Sequence, residues 1–231
     1  MKMRHFSMFA NTSGLKPSAT VIFFHGIGHS GAATMKWIHD LLGRDLKFPH
    51  IQIMYPTAPL QSFTPLKGEL STVWFDIEKL AIDSKENRKS ITNAYDHVNK
   101  MIKNEMMQGI PINRILVGGF SMGGTLALHA AYHLNPNLGG VFVFSSFLNY
   151  DSIVYESLRK MTGTTLPELR MFHGSKDEIV PIKWGRDSFD KLQTFGVKGT
   201  FKIMPNKKHV LSKIGLEDLE EWISKKLVPL T

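Results

Sequence analysis

The sequence predicts an α/β fold, a mostly parallel central sheet with helices on both faces. Three observations carry that expectation. Short apolar runs of strand length alternate with longer stretches of helical period, glycine, proline or polar residues punctuate the runs, and no internal repeat or low-complexity segment interrupts them. With 231 residues, 42% of them hydrophobic and 21% charged, the chain has apolar material for one sizeable core, so residues 1–231 are expected to form a single domain.

Residues 20–24, 51–55, 114–118, 140–144, 169–172 and 200–204 read as strands because they are short, rich in β-branched or aromatic side chains, and bounded by Gly, Pro or polar residues. Residues 4–9 are a candidate edge strand. The clearest helix runs over 85–108, where Ile91, Tyr95, Val98 and Ile102 share one face, with Ser84 expected to cap its start and Gly109 its end. A second covers 122–134, with Leu126, Ala127, Ala130 and Leu134 inward and Asn135-Pro136 as the stop. A third spans 183–195. The last covers 213–227, burying Leu219, Trp222 and Ile223 and placing Lys225 and Lys226 where the helix dipole favours cations. Residues 56–76 read as an ordered loop holding Trp74 and Phe75, and long loops in compact domains often carry function.

Composition narrows the function. Cysteine is absent, which excludes disulfides, thiolate metal sites, cysteine catalysis and palmitoyl anchoring. No apolar run is long enough for a membrane span, and the start lacks the apolar core of a signal peptide, so a cytoplasmic protein is expected. The formal charge is +8, but the basic residues are scattered rather than striped among aromatics, so nucleic acid is not an expected partner. His25, His29 and His173 lack metal-ligand spacing, and neither a metal nor a cofactor is expected.

The chemistry concentrates in a few segments. Residues 114–124 read RILVGGFSMGG, an apolar strand running through Gly119-Phe120-Ser121-Met122-Gly123 straight into a helix. A serine on so sharp a turn crowds the residues two positions either side, which must be glycine, while its hydroxyl stands clear of the sheet. Such a nucleophile needs a base and an orienting carboxylate on loops after later strands, in the chain order serine, acid, histidine. Asp177, in His173-Gly174-Ser175-Lys176-Asp177, and His209, in Pro205-Asn206-Lys207-Lys208-His209, fill those places, just past the carboxyl ends of two strands. Asp187 and Asp190 are the rival acids, but they fall in an apparent helix. The backbone amides of Ile27 and Met122 are the expected donors to an oxyanion, the first from the loop Phe24-His25-Gly26-Ile27-Gly28-His29, the second from the residue after the nucleophile.

With those residues in place, the chain resembles the acyl-protein thioesterase and lysophospholipase family, and within it the lysophospholipase-like branch. The resemblance covers nearly the whole length and rests on VIFFHGIG (21–28), YPTAP (55–59), VWFDI (73–77), GIPINRILVGGFSMGG (109–124), HGSKD (173–177) and His209. It implies an α/β-hydrolase core with a small or absent lid, no cofactor, and hydrolysis of acyl esters or thioesters, including lysophospholipids and lipidated proteins. The chain departs from the family at His29, where aspartate is usual, at Met122, where thioesterase members carry glutamine, and at Lys207-Lys208 before the late histidine.

The expected function is therefore a serine esterase or thioesterase working through an acyl-enzyme on a small acyl ester or thioester. A depalmitoylase or lysophospholipase is the alternative within the enzymes, and a non-catalytic binding domain the alternative outside them. A short acyl chain is expected, because Gln61, Ser62, Lys67 and Glu69 interrupt the apolar residues of the 56–75 loop. A long chain would bury a dozen or so methylenes at about 0.8 kcal/mol each and needs a continuous apolar channel. Leu66, Leu70, Trp74 and Phe75 are the candidate acyl-pocket residues, with ordinary core packing the competing reading for the two aromatics.

Overall fold

The computed structural model describes residues 8–9, 16–161 and 163–230. In chain order the elements are β1 (Met8–Phe9), β2 (Ala19–Phe24), α1 (Gly31–Leu42), β3 (Ile51–Tyr55), β4 (Leu60–Ser62), β5 (Leu70–Thr72), α2 (Arg88–Met107), β6 (Ile115–Phe120), α3 (Met122–His129), β7 (Gly140–Phe144), α4 (Ile153–Lys160), β8 (Leu169–Gly174), α5 (Ile182–Thr194), β9 (Gly199–Met204) and α6 (Lys213–Lys226). Seven strands form one sheet in the order β1-β3-β2-β6-β7-β8-β9. Every pairing in it is parallel except that of β1 on β3. Of the expected edge strand over 4–9, Met8 and Phe9 pair with Met54 and Tyr55, and residues 4–7 lie outside the described residues.

The two faces of the sheet are buried by alternate side chains of each strand. Val21 and Phe23 pack with Leu42, Leu219 and Trp222, in the layer of α1 and α6, whereas Ile22 and Phe24 pack with Val98, Leu126 and Phe189, in the layer of α2, α3 and α5. Parallel strands covered on both faces read as continuous apolar runs, which is why they are visible in the sequence. Phe23, Phe142, Phe144 and Phe172 stack across the α1/α6 face, with Phe144 and Phe172 centroids 4.5 Å apart.

Three features depart from the sequence expectation. Helix α2 starts three residues later than expected: Asn87, not Ser84, is its cap, accepting from the Ser90 amide, while Gly109 ends it with φ +95°. Helices α1 and α4 are unanticipated. Each begins with a serine cap, Ser30 on Ala33 and Ser152 on Val154, but α4 has only 8 residues, barely two turns in which a period can repeat. The 56–76 segment is not all loop, since β4 and β5 pair as an antiparallel hairpin with Leu60 opposite Thr72. After α3 the chain continues as a π-helical turn over Ala130–Leu134, closed by the Asn135 amide on the Ala130 carbonyl at 2.9 Å.

Candidate active site

The loops after β2, β6, β8 and β9 all leave the sheet at its carboxyl edge. β2 and β6 end side by side, Phe24 opposite Gly119, at the point where strand order reverses from β3-β2 to β6-β7. Open α/β sheets place their ligands in the crevice at such a point.

Ser121 occupies this crevice with φ 55° and ψ −124°, a conformation that side-chain-bearing residues rarely adopt. The surrounding chain holds it there. Its amide donates to the Phe144 carbonyl at 2.9 Å, and its own carbonyl accepts from Gly124 and Thr125 at 2.8 and 3.1 Å. A Cβ on Gly119 would lie 2.5 Å from the carbonyl carbon of Gly123, and one on Gly123 would lie 2.3 Å from the Phe24 oxygen. Only glycine fits at either place. Backbone strain of this kind costs roughly 1–3 kcal/mol and persists where the surroundings over-determine it.

Asp177 and His209 meet. The His209 Nδ1–H donates to Asp177 Oδ2 at 2.8 Å, while Asp177 Oδ1 accepts from the amides of Ile179 and Val180 at 3.1 and 2.8 Å. Burial, the largest effect on Asp177, pushes its carboxyl up, but the His209 and Val180 hydrogen bonds, the His209 charge and the Ser145 hydroxyl together hold it below the usual carboxylate range. The His209 ring packs on Phe120, the neighbour of Ser121, with centroids 4.7 Å apart. With Nδ1 committed to Asp177, Nε2 is the ring nitrogen left to exchange a proton. The rival acids are engaged elsewhere: Asp187 pairs with Lys183 at 2.7 Å and accepts from Tyr150, and Asp190 lies exposed 3.7 Å from Arg186.

Two further histidines serve the scaffold, a role the sequence does not announce. His173 Nε2–H donates to the Val180 carbonyl at 2.8 Å, bracing the turn whose amides grip Asp177, and burial lowers its pKa. A Cβ on Gly185 would come within 2.4 Å of its Nδ1, so the ring needs glycine beside it. His25 is buried behind the early loop. Its Nδ1–H donates to Gly26 O at 2.6 Å, and Nε2 accepts from the Ala58 amide at 2.9 Å. Burial, opposed by the Gly26 bond and helped by His29, pushes His25 down to about 4, so it stays neutral. Both ring nitrogens are consumed by the backbone. Among the described residues no group of three or more His, Asp or Glu is arranged to hold a metal ion.

Ile27 and Met122 line the same cleft as Ser121. Met122 is the first residue of α3, and the amides of a helix's first turn lack intrahelical acceptors. The loop carrying Ile27 is tied down on both sides: Trp74 Nε1 donates to the His25 carbonyl at 2.9 Å, the Gly28 amide to the Thr72 carbonyl at 3.0 Å, and the Thr72 hydroxyl to His29 O at 2.6 Å.

The cleft holds a cavity of about 40 Å³. Of the four residues expected at an acyl pocket, Phe75 lines it. Trp74 is a buried neighbour of Phe24 and His25, while Leu66 and Leu70 stand exposed on the β4–β5 hairpin region. The remaining apolar lining comes from Ile77, Leu80, Ile91, Phe147 and Val180, scattered over four segments and so invisible to a local reading of the sequence. Glu86 forms part of one wall. Its Oε1 lies 3.1 Å from Nε2 of the buried His129, its Oε2 accepts from the Ile153 amide at 3.0 Å, and His129 Nδ1 meets the Tyr95 hydroxyl at 2.8 Å. Burial, the largest effect, pushes Glu86 up, yet the His129 bond and charge with the Ile153 and Ser152 bonds bring it down to about 2.

Comparison with known proteins agrees with this architecture. The family described as Phospholipase/Carboxylesterase matches residues 8–227. The chain is 48% identical over 210 residues to lysophospholipase-like protein 1 of Mus musculus, covering 91% of this chain and 87% of that protein. It is 34% identical to acyl-protein thioesterase 1 homolog 1 of Dictyostelium discoideum, covering 91% of each. Among solved structures, Arabidopsis thaliana SOBER1 superposes with a TM-score of 0.80 at 25% identity, covering 90% of this chain and 99% of that one. Zea mays acyl-protein thioesterase 2 superposes with a TM-score of 0.81 at 23% identity, covering 96% and 98%. The fold is the α/β-hydrolase fold. Among the described residues no helix is long and apolar enough to cross a membrane.

Proposed function

From the premise that this chain belongs to the phospholipase/carboxylesterase family of hydrolases, we propose that it is a serine hydrolase that cleaves short-chain acyl esters or thioesters through an acyl-enzyme. The observation that carries the reading is the 2.8 Å bond from His209 to Asp177 on the same sheet edge as the strained Ser121. Ser121 Oγ attacks the acyl carbon and its proton passes to His209 Nε2, with Asp177 stabilising the imidazolium. The tetrahedral oxyanion takes N–H bonds from Ile27 and Met122. Collapse breaks the C–O or C–S bond, the leaving group takes the proton from His209, and a water deprotonated by the same nitrogen then releases the acid and restores Ser121.

The relatives' names include acyl-protein thioesterases, and the small volume of the cleft, about 40 Å³, favours short acyl chains. Met122, Phe75, Ile77 and Leu80 would contact the acyl group. Labelling with a fluorophosphonate probe, paired with hydrolysis of p-nitrophenyl esters from acetyl to palmitoyl below their micelle concentrations, tests both parts. Ser121→Ala is expected to abolish labelling and turnover while remaining folded. Full labelling of that variant would refute the nucleophile, and a steady rise of kcat/KM to the longest chain would refute the short-chain reading.

A further inference from the structure

Part of the lining of the cleft is not what a plain alkyl chain needs. Beside Leu80 and Ile91 it presents Ser84, Lys85, Glu86 and Asn149. Most of this polarity is internally satisfied. Asn149 Nδ2 donates to the carbonyls of Ala81 and Ser84, both at 3.0 Å, and Glu86 Oε2 accepts from the Ile153 amide while Oε1, which makes no hydrogen bond, lies 3.1 Å from His129 Nε2. The Ser84 hydroxyl is the neutral group without a partner. Ser84 is buried, its Oγ has no hydrogen-bond partner, and it lines the cleft. A buried hydroxyl without a partner is destabilising, and native structures retain few of them. The hydroxyl is not positioned by any service to helix α2, whose cap is Asn87. Asn149 clamps the Ser84 backbone in the cleft wall.

We propose that this wall recognises a hydroxyl carried by the acyl group, with Ser84 as its partner, making short hydroxyacyl esters or thioesters the preferred substrate class. The inference rests on the hydrolase reading above and deepens it. A hydroxyl suits the wall because it can both accept from and donate to Ser84 Oγ. A carboxylate suits it less. Glu86 lines the same wall with a negative charge, and of the two cations there Lys79 lies 3.7 Å from Asp83, leaving Lys85 to offset Glu86 alone.

The test compares kcat/KM for p-nitrophenyl esters in matched pairs, 3-hydroxypropanoyl against butanoyl and 3-hydroxybutanoyl against 3-methylbutanoyl, with succinyl as a charged control. Wild-type protein is expected to favour the hydroxyacyl member of at least one pair by about fivefold, the worth of one net hydrogen bond. In Ser84→Ala that ratio is expected to fall to about one. Because the substitution removes an unpartnered buried group, its melting temperature should equal or exceed that of the wild type, and a fall would overturn the assignment of a free hydroxyl. No hydroxyl preference in the wild type, a preference that survives Ser84→Ala, or succinyl as the best substrate would overturn the proposal while leaving the hydrolase reading intact. Failure to turn over any ester, together with no labelling of Ser121, would remove both.

Discussion

Replacing Glu86 by Gln should weaken the fold in a way that depends on pH. The Glu86 carboxylate is buried against His129 and the Ile153 amide, and its pKa falls from 4.5 to about 2. At 1.36 kcal/mol per pH unit this corresponds to about 3 kcal/mol of stability. Because the folded-state pKa is depressed, that contribution is present above pH 4.5 and is lost as the pH falls through about 2, below which the carboxylate is protonated in both states. Against a total of roughly 5–15 kcal/mol for an ordinary domain, the loss is large. Urea unfolding of wild type and Glu86→Gln at a series of pH values measures it. Other carboxylates titrate in the same window, Asp177 among them, so the informative quantity is the difference between the two proteins at each pH. That difference should be about 3 kcal/mol near neutrality and shrink towards zero as the pH approaches 2. A difference that stays constant across the window, with unchanged m-values, would refute the Glu86 charge as the source of stability.

Asp177→Asn should lower kcat by several orders of magnitude, roughly 10⁴ by the general logic of the triad, because the neutral amide no longer holds His209 in the tautomer that takes the serine proton; steady-state ester hydrolysis checks it, with Asp187→Asn and Asp190→Asn expected to remain near wild type. Gly123→Ala should abolish activity and lower the melting temperature, since its Cβ would sit 2.3 Å from the Phe24 oxygen, and a variant with normal calorimetry and turnover would contradict the crowding of the turn. The double substitution Lys207→Ala, Lys208→Ala should leave the pH–rate profile and the ratio of anionic to neutral ester turnover little changed, because both lysines are exposed and Lys208 already lies 3.6 Å from Glu178.

The strands of the sheet, the turn at Ser121 and the placing of Asp177 and His209 on loops after later strands were all legible in the sequence, because each is governed by a local requirement. Strands buried on both faces must be apolar throughout, the residues flanking Ser121 must be glycine where Phe24 and Gly123 crowd in, and loops that reach the crevice must follow strand ends. The helix α4 and the three-residue strands β4 and β5 were not legible, since elements of that length give too few repeats of their period to stand out. Tertiary structure alone decided the cleft. It separated Phe75, which faces it, from Trp74, which braces the His25 carbonyl, although the two are adjacent and equally aromatic. It turned Ser84 from an expected helix cap into a buried hydroxyl on the cleft wall, and it joined Glu86, Tyr95 and His129 from three segments into one buried contact. Which neighbours a side chain meets depends on how distant segments pack, and no local pattern of residues carries that information.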